Sequence, residues 1–175
     1  MPSRWRVPLG WAVGALALFL ARPTTTSLWL GLGVALPGEA LRLWASGHIE
    51  KTRRLATGGP YGHTRNPLYL GSLLLALGFA LASSSPWVVV AVGAYLAAFY
   101  PAVVREETAF LRQRFGDEFA AWEREVPAFL PRLRPGGPRA TRFDWARVTL
   151  NREWRTALAL PLLGALLYAR GVVFP

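Results

Sequence analysis

Five blocks of apolar residues run along this chain, and they constrain its fold more than any other feature. Each block holds roughly 15–20 residues, close to the ~20 that an α-helix needs to cross the hydrocarbon core of a bilayer. The sequence therefore predicts an all-α fold, a polytopic membrane helical bundle with about five transmembrane helices. The blocks are Val7–Ala21, Ser27–Ala45, Leu68–Ser83, Pro86–Val104 and Thr156–Phe174.

Basic residues lie mostly between these blocks, and their distribution predicts the orientation of the chain. There are 20 Lys and Arg against 10 Asp and Glu, a net charge of +10. If the N-terminus is cytoplasmic, 2 basic residues before the first block, 5 from Arg42 to Arg65 and 11 from Arg105 to Arg155 place 18 of the 20 in the cytoplasm. This distribution satisfies the positive-inside rule. We therefore expect the basic residues to meet anionic lipid headgroups rather than nucleic acid, and any chemistry to face the cytoplasm.

The length of 175 residues predicts a single integral membrane domain, 1–175. A cytosolic helical segment is expected between the fourth and fifth blocks, because apolar residues recur there at intervals of three and four. Gly116 is a predicted kink in it, and Pro127 is expected to follow its end. The lack of Cys excludes disulfides and thiolate metal sites, and with two His no metal centre is predicted. The apolar stripe consists of Leu111, Phe115, Phe119, Trp122 and Val126.

The stretch Gly58–Gly71 reads GGPYGHTRNPLYLG and leads directly into the third block. Gly59 allows a ligand to approach the backbone closely, since glycine has no side chain to clash. The third block is expected to begin a helix with Asn66 as its N-cap, and the free N–H groups of that helix end suit a carboxylate or a phosphate. The alternative is a rigid interfacial turn in which Tyr61 and Tyr69 lie at the level of the lipid headgroups.

Two adjacent carboxylates, Glu106 and Glu107, follow the fourth block in a region where most charged residues are basic. One interpretation is that they bind an ammonium or sulfonium group. The other is that they pair with Arg105 or Arg112 on a solvated helix face, where such ion pairs stabilise little.

Glu39 and Arg42 lie three residues apart in the second block, and therefore on one face of the predicted helix. An ionisable pair inside a membrane span is a candidate functional site, here a substrate contact. The alternative is a buried structural ion pair. His48, beyond the end of this block, is expected at the surface.

These motifs together resemble the isoprenylcysteine carboxyl methyltransferase and phospholipid methyltransferase superfamily of integral membrane enzymes. That family has a G-P-Y-x-x-x-R-[HN]-P-x-Y-x-G block, which residues 59–71 match in register. Downstream it has E-E, then L-x-x-x-F-G-x-E-[YF], then V-P, and this chain matches these from Glu106 to Pro127. The segment Leu41–Trp44 is also similar. The family-like core covers residues 39–131, and the segment and apolar block of residues 132–175 lie beyond it.

The resemblance implies a methyltransferase that uses S-adenosylmethionine, releases S-adenosylhomocysteine, and acts on a lipophilic, membrane-embedded substrate. An isoprenylcysteine-like carboxylate and a phospholipid amine are both compatible with it. No separate catalytic base is assigned, because methyl transfer to a carboxylate requires alignment and a dry site rather than a proton transfer. The residues expected to hold the cofactor are Gly59, Tyr61, Arg65, Asn66, Tyr69, Glu106 and Glu107.

One departure from the family concerns Asn66, which stands where the isoprenylcysteine enzymes have His and which cannot titrate. The compactness of the chain is typical of a prokaryotic protein, so the expected location is the cytoplasmic (inner) membrane. Two other functions stay open: a sterol-reductase-like enzyme with a nicotinamide cofactor, and a non-catalytic membrane protein whose polar residues stabilise the bundle. The sequence does not indicate an oligomeric state.

Overall fold

The computed structural model describes residues 3–50, 53–138 and 141–173, and all regular secondary structure in these ranges is helical. The all-α prediction is therefore confirmed. The elements are α1 (Ser3–Leu20), α2 (Thr25–Ser46), a 3-10 turn (Gly59–Gly62), α3 (Pro67–Ala82), α4 (Pro86–Glu125), α5 (Trp145–Leu150) and α6 (Trp154–Val173).

Each of the five apolar blocks forms a helix, and proline determines two of the starts. Pro67 is the first residue of α3 and Pro86 is the first residue of α4. A proline at this position loses no intrahelical hydrogen bond, because the N–H of a first helical residue has no partner in the helix. The carbonyl of Asn66 accepts the N–H of Leu70 at 3.0 Å, so Asn66 is the residue that precedes the first helical turn.

The number of membrane spans is a separate question from the number of helices. By length and composition, α4 is the one helix in the described part of the chain that is long and apolar enough to cross a membrane. The apolar helical stretches Val7–Leu20 and Pro67–Ala82 are shorter. The topology of about five spans and the cytoplasmic N-terminus therefore stay predictions.

Helix α4 continues past the fourth apolar block and includes the amphipathic segment expected after it. Gly116 interrupts it with φ 47° and ψ −120°, a left-handed conformation that glycine adopts without steric cost. The kink is therefore at the residue where it was predicted. The helix ends at Glu125, two residues before Pro127.

The chain divides into two compact units. The apolar unit consists of Met1–Pro37, Leu73–Arg105 and Leu158–Pro175, and the polar unit consists of Gly38–Ser72 and Glu106–Ala157. The organisation of residues 1–175 as a single domain stays a prediction.

Small residues bring α2 and α3 together in the apolar unit. A Cβ atom on Gly31 would lie 2.4 Å from the carbonyl oxygen of Gly78, so only glycine permits this approach. Ser27 Oγ donates to the carbonyl of Ala82 at 2.9 Å. Many large apolar side chains of this unit are exposed, a feature typical of helices that face lipid. They include Trp11, Phe19, Trp29, Trp87, Leu158 and Leu162.

The predicted apolar stripe of the second half of α4 forms the core of the polar unit. Phe119, Trp122 and Val126 are each 1% exposed, and Leu111 and Phe115 pack against them. Trp122 Nε1 donates to the carbonyl of Tyr61 at 3.1 Å. The stripe therefore fixes the position of the Gly59–Gly62 turn. Its other partners are Ala45 and Leu55.

Candidate functional site

Only glycine fits at positions 58 and 59, at the start of the motif, because neighbouring protein atoms leave no room for a Cβ atom. A Cβ atom on Gly58 would lie 1.9 Å from the carbonyl oxygen of Thr141, and the Gly58 N–H donates to Thr141 Oγ1 at 3.0 Å. Gly59 has φ +56°, and a Cβ atom there would lie 2.4 Å from Cε1 of His48. The close approach that Gly59 permits is therefore to the His48 ring.

His48 is not at the surface, and that prediction is wrong. Its side chain occupies the space beside Gly59, the residue is 5% exposed, and Nδ1 lies 2.9 Å from the carbonyl oxygen of Trp44. The Phe143 ring packs against it with ring centroids 5.9 Å apart. Because Phe143 comes from the C-terminal part of the chain, the local sequence around His48 did not indicate its burial.

The residues that follow α4, which we call the return segment (residues 127–136), bind the motif through hydrogen bonds. The Arg65 N–H donates to the carbonyl of Pro127 at 2.9 Å, and Asn66 Nδ2 donates to the carbonyl of Ala128 at 2.9 Å. Thr64 Oγ1 donates to the same Ala128 oxygen at 3.0 Å. The two sequence motifs are thus joined by bonds that mostly use main-chain groups. Further bonds join Arg132 N–H to His63 O and Gly136 N–H to Gly62 O.

A cavity of about 210 Å³, which we call the motif cavity, opens beside these residues. It brings together six of the nine predicted site residues, whereas Gly59, Glu106 and Glu39 do not line it. Ser72 lines it as well, and the sequence analysis did not select it. The lining residues are Arg42, Tyr61, Arg65, Asn66, Pro67, Leu68, Tyr69, Ser72 and Glu107.

Arg65 enters the motif cavity as part of an ion-pair network in which it shares one carboxylate with Arg112. Its Nη1 pairs with Oε1 of Glu123, and Oε2 of Glu123 accepts from Arg112 Nη2 at 2.7 Å. The hydrogen bond from Arg112 is the main cause that lowers the pKa of Glu123, and Arg65 adds to it. Arg65 Nε is buried and has no hydrogen-bond partner among the described residues. Its N–H is therefore a donor whose hydrogen bond the described residues leave unused.

Arg42 pairs with Glu153, not with Glu39, so the predicted ion pair within α2 is wrong. Arg42 Nε and Nη2 both lie 2.6 Å from Oε1 of Glu153. Glu39 is 6% exposed, and neither of its carboxylate oxygens has a hydrogen-bond partner in the described part of the chain. The spacing along α2 favoured Glu39 as the partner of Arg42, but the guanidinium group binds Glu153, which lies 111 residues further along the chain. The sequence contains one indication of this partner, since Glu153 is the only acidic residue after Asp144.

Glu107 lines the motif cavity, is exposed, and makes no ion pair with any described residue. The predicted alternative partners are engaged elsewhere: Arg112 with Glu123, and Arg105 Nε with the carbonyl of Pro101 at 3.0 Å. Burial, and then the charge of Glu107, raise the pKa of Tyr61 well above its usual value. Tyr61 is therefore a neutral hydroxyl group at any physiological pH.

These groups define what the motif cavity suits chemically. An unpaired buried guanidinium N–H and the neutral Tyr61 hydroxyl suit an anionic or polar ligand group, while Glu107 suits a cationic one. A volume of about 210 Å³ is below the ~300–1,000 Å³ of a pocket that encloses a whole drug-sized ligand. The cavity therefore fits one polar end of a zwitterionic small molecule.

A family profile described as phospholipid methyltransferase matches residues 26–118 of the chain. This range contains both glutamates of the Glu106-Glu107 pair and the whole Gly58–Gly71 stretch, and it excludes Glu123 and Glu153. No solved structure gives a significant match to the chain.

Three curated relatives cover part of the same region. The cobalt-zinc-cadmium resistance protein CzcN of Cupriavidus metallidurans is 42% identical over 106 residues, which are 59% of this chain and 47% of that protein. The nickel-cobalt-cadmium resistance protein NccN of Alcaligenes xylosoxydans xylosoxydans is 32% identical over 138 residues, 74% of this chain and 63% of that protein. A probable protein-S-isoprenylcysteine O-methyltransferase of Oryza sativa subsp. indica is 31% identical over 115 residues, 59% of this chain and 60% of that protein. The chain thus spans between 47% and 63% of the length of these relatives.

Proposed function

This chain belongs to the phospholipid methyltransferase family, and we propose on that premise that it is a membrane methyltransferase that uses S-adenosylmethionine to methylate a lipophilic substrate. The observation that carries the proposal is the motif cavity. It collects Tyr61, Arg65, Asn66 and Tyr69 from one motif and Glu107 from the other, although the two motifs are far apart in sequence.

The lining residues match the charges of this cofactor, whose bound form supplies an electrophilic methyl group on a sulfonium. Arg65 Nε, buried and unpartnered, is the donor for the cofactor carboxylate. Glu107 is the counter-charge for its ammonium or sulfonium group. Asn66 supports the wall through its bond to Ala128 rather than through acid–base chemistry. Gly59 and Glu106 lie outside the lining residues, so we assign them no direct contact.

The methyl acceptor that fits best is one that does not have to lose a proton in the motif cavity before it attacks. Asn66 does not titrate, and Tyr61 keeps its proton because its pKa is raised well above the usual value. Glu107 is the remaining lining carboxylate, and we assign it to the cofactor cation. A lipophilic carboxylate therefore fits better than a protonated phospholipid amine, which must lose a proton before it attacks.

A binding experiment on the full-length protein in detergent tests the cofactor assignment. We expect S-adenosylmethionine to bind in calorimetric titration, and Glu107→Gln to weaken binding by roughly tenfold, as for loss of a charged hydrogen-bonding partner. Asp117→Asn is the matched control, because Asp117 is an exposed carboxylate on the same helix outside the cavity. Binding of a nicotinamide cofactor in place of S-adenosylmethionine, or equal affinities in both variants, would contradict the proposal.

We also propose that the helices cross a prokaryotic cytoplasmic membrane about five times, with the motif cavity facing the cytoplasm. The exposed apolar side chains of the apolar unit support the membrane crossings, and the placement of 18 of 20 basic residues supports the orientation. Because the chain has no Cys, single cysteines report topology without background. A membrane-impermeant maleimide is expected to label Thr26→Cys and Ser84→Cys from outside intact cells, and Asp117→Cys only after lysis. Labelling of all three in intact cells would overturn the orientation.

The names of the two bacterial relatives concern resistance to metal ions. We propose that a contribution of this chain to metal tolerance acts through methylation of a membrane component. In the described ranges, His, Asp and Glu form no group of three or more that could hold a metal ion. Expression in a zinc- and cobalt-sensitive host compares the wild type with Glu107→Gln. We expect the variant to lose any protection, and full protection by it would refute the link to methylation.

A further inference from the structure

Glu153 lies in the tight turn between α5 and α6. Arg152 adopts the left-handed region with φ 58°, and the Glu153 N–H donates to the carbonyl of Val148 at 3.1 Å. The residue is 5% exposed. No motif includes it, and it lies outside the residues 26–118 that match the family.

The guanidinium of Arg42 is satisfied entirely by the protein. Nε and Nη2 contact Glu153, Nη1 contacts Ser72 Oγ and the carbonyl of Leu68, and Nη2 also reaches Thr156 Oγ1 at 3.5 Å. Arg42 is therefore a wall of the motif cavity with no donor left for a ligand.

The neutralisation of Arg42 changes the balance of charge in the motif cavity. Three charged residues line it: Arg42, Arg65 and Glu107. Glu153, which does not line the cavity, neutralises Arg42, whereas Arg65 shares the single charge of Glu123 with Arg112. Among the three lining charges, that of Glu107 is the one without an ion-pair partner in the described part of the chain. Without Glu153 the charge of Arg42 would cancel that of Glu107.

We propose that Glu153 is a specificity-determining positioning residue: by neutralising Arg42 it makes the motif cavity prefer the cationic methyl donor to the neutral product. This inference rests on the proposed use of S-adenosylmethionine, which carries a net charge of +1, whereas S-adenosylhomocysteine has lost the sulfonium and is neutral. Neutralising a positive charge in the cavity wall therefore favours binding of the cationic donor over the neutral product. An unneutralised charge at roughly 10 Å, in an effective dielectric of about 20, changes the affinity for a monovalent ligand on the order of tenfold.

The test compares three ligands on the full-length protein in detergent at low salt. S-adenosylmethionine and sinefungin are both cationic, since sinefungin carries an ammonium group in place of the sulfonium, and S-adenosylhomocysteine is neutral. We expect Glu153→Gln, which keeps the shape of the side chain, to weaken both cationic ligands about tenfold relative to the neutral one. Glu50→Gln is the control, because it removes the partner of Arg147, an arginine about as exposed as Arg42, from an ion pair away from the motif cavity.

A second variant separates charge from structure. Arg42→Gln combined with Glu153→Gln removes both charges, and we expect it to restore the wild-type ratio of donor to product affinity. Equal weakening of all three ligands by Glu153→Gln, or failure of the double variant to restore the ratio, would show that Glu153 is only structural. If Glu153→Gln does not fold, Arg42→Gln is measured instead. The proposal requires that the ratio of donor to product affinity in this variant does not fall below the wild-type value. Absence of binding to the wild type would instead refute the proposed function itself.

Discussion

The bond between Asn66 and the return segment gives a prediction that the structure quantifies. Asn66 Nδ2 and Thr64 Oγ1 both donate to the carbonyl oxygen of Ala128, at 2.9 and 3.0 Å. Asn66→Ala removes one of two donors and leaves the carbonyl satisfied, so the expected cost is at the lower end of the ~0.5–1.5 kcal/mol of an intramolecular hydrogen bond. Asn66→Asp places an acceptor opposite an acceptor, and we expect a cost of about 1–3 kcal/mol. Asn66→His, the family residue, keeps a ring N–H donor and should be the least damaging.

Thermal unfolding in detergent, followed by tryptophan fluorescence, ranks these variants. A cost of 1 kcal/mol lowers the melting temperature of a protein of this size by about 2–4 °C. Thr64→Val, combined with Asn66→Ala, removes both donors and strands the Ala128 carbonyl, so the double variant should lose about 1 kcal/mol more than the sum of the single variants. Strict additivity, or an Asn66→Asp variant as stable as the wild type, would refute the role given to this bond.

Three further predictions concern single positions. Because Arg112 and Arg65 lower the pKa of Glu123, its stabilising contribution is present above the unfolded pKa of about 4.3 and is lost as the pH falls through the lower folded value. The stability lost in Glu123→Gln should therefore be smaller at pH 3 than at pH 7, and an equal loss at both would contradict this. Gly59→Ala should destabilise the protein by at least about 1–2 kcal/mol from its left-handed backbone alone. The added Cβ atom would also clash with the His48 ring, and adding His48→Ala should recover only the part of the loss due to this clash, as measured by melting temperature. Tyr61→Phe should leave the fold intact and weaken cofactor binding about two- to tenfold in titration, as for one lost hydrogen bond; an unfolded variant would contradict it.

Local sequence patterns predicted the helices and the internal core of the polar unit well. The spacing of Leu111, Phe115, Phe119, Trp122 and Val126 identified a buried helix face, and the structure buries it. Gly116 was identified as the kink and Asn66 as the residue before α3. These predictions succeed because helix periodicity and the backbone preferences of Gly and Pro act over a few residues.

Partners of charged and polar groups were predicted much less well. Glu39 was expected to pair with Arg42, pairing with Arg105 or Arg112 was one of two alternatives for Glu106 and Glu107, and His48 was expected at the surface. In the structure Arg42 instead pairs with Glu153, Arg65 pairs with Glu123, and His48 is buried. Proximity along a helix was a poor guide, because a long guanidinium side chain binds whichever carboxylate the tertiary fold brings to it.

The sequence by itself determined that this chain is helical, where its helices begin and bend, and which two motifs matter, since these properties depend on residues within one or two helical turns. The tertiary structure alone decided which charges in the motif cavity are paired. That depends on Glu123 and Glu153, which lie 58 and 111 residues from their arginine partners. Coulomb interactions depend on distance in space, and no local pattern records which distant residues the fold brings within hydrogen-bond reach.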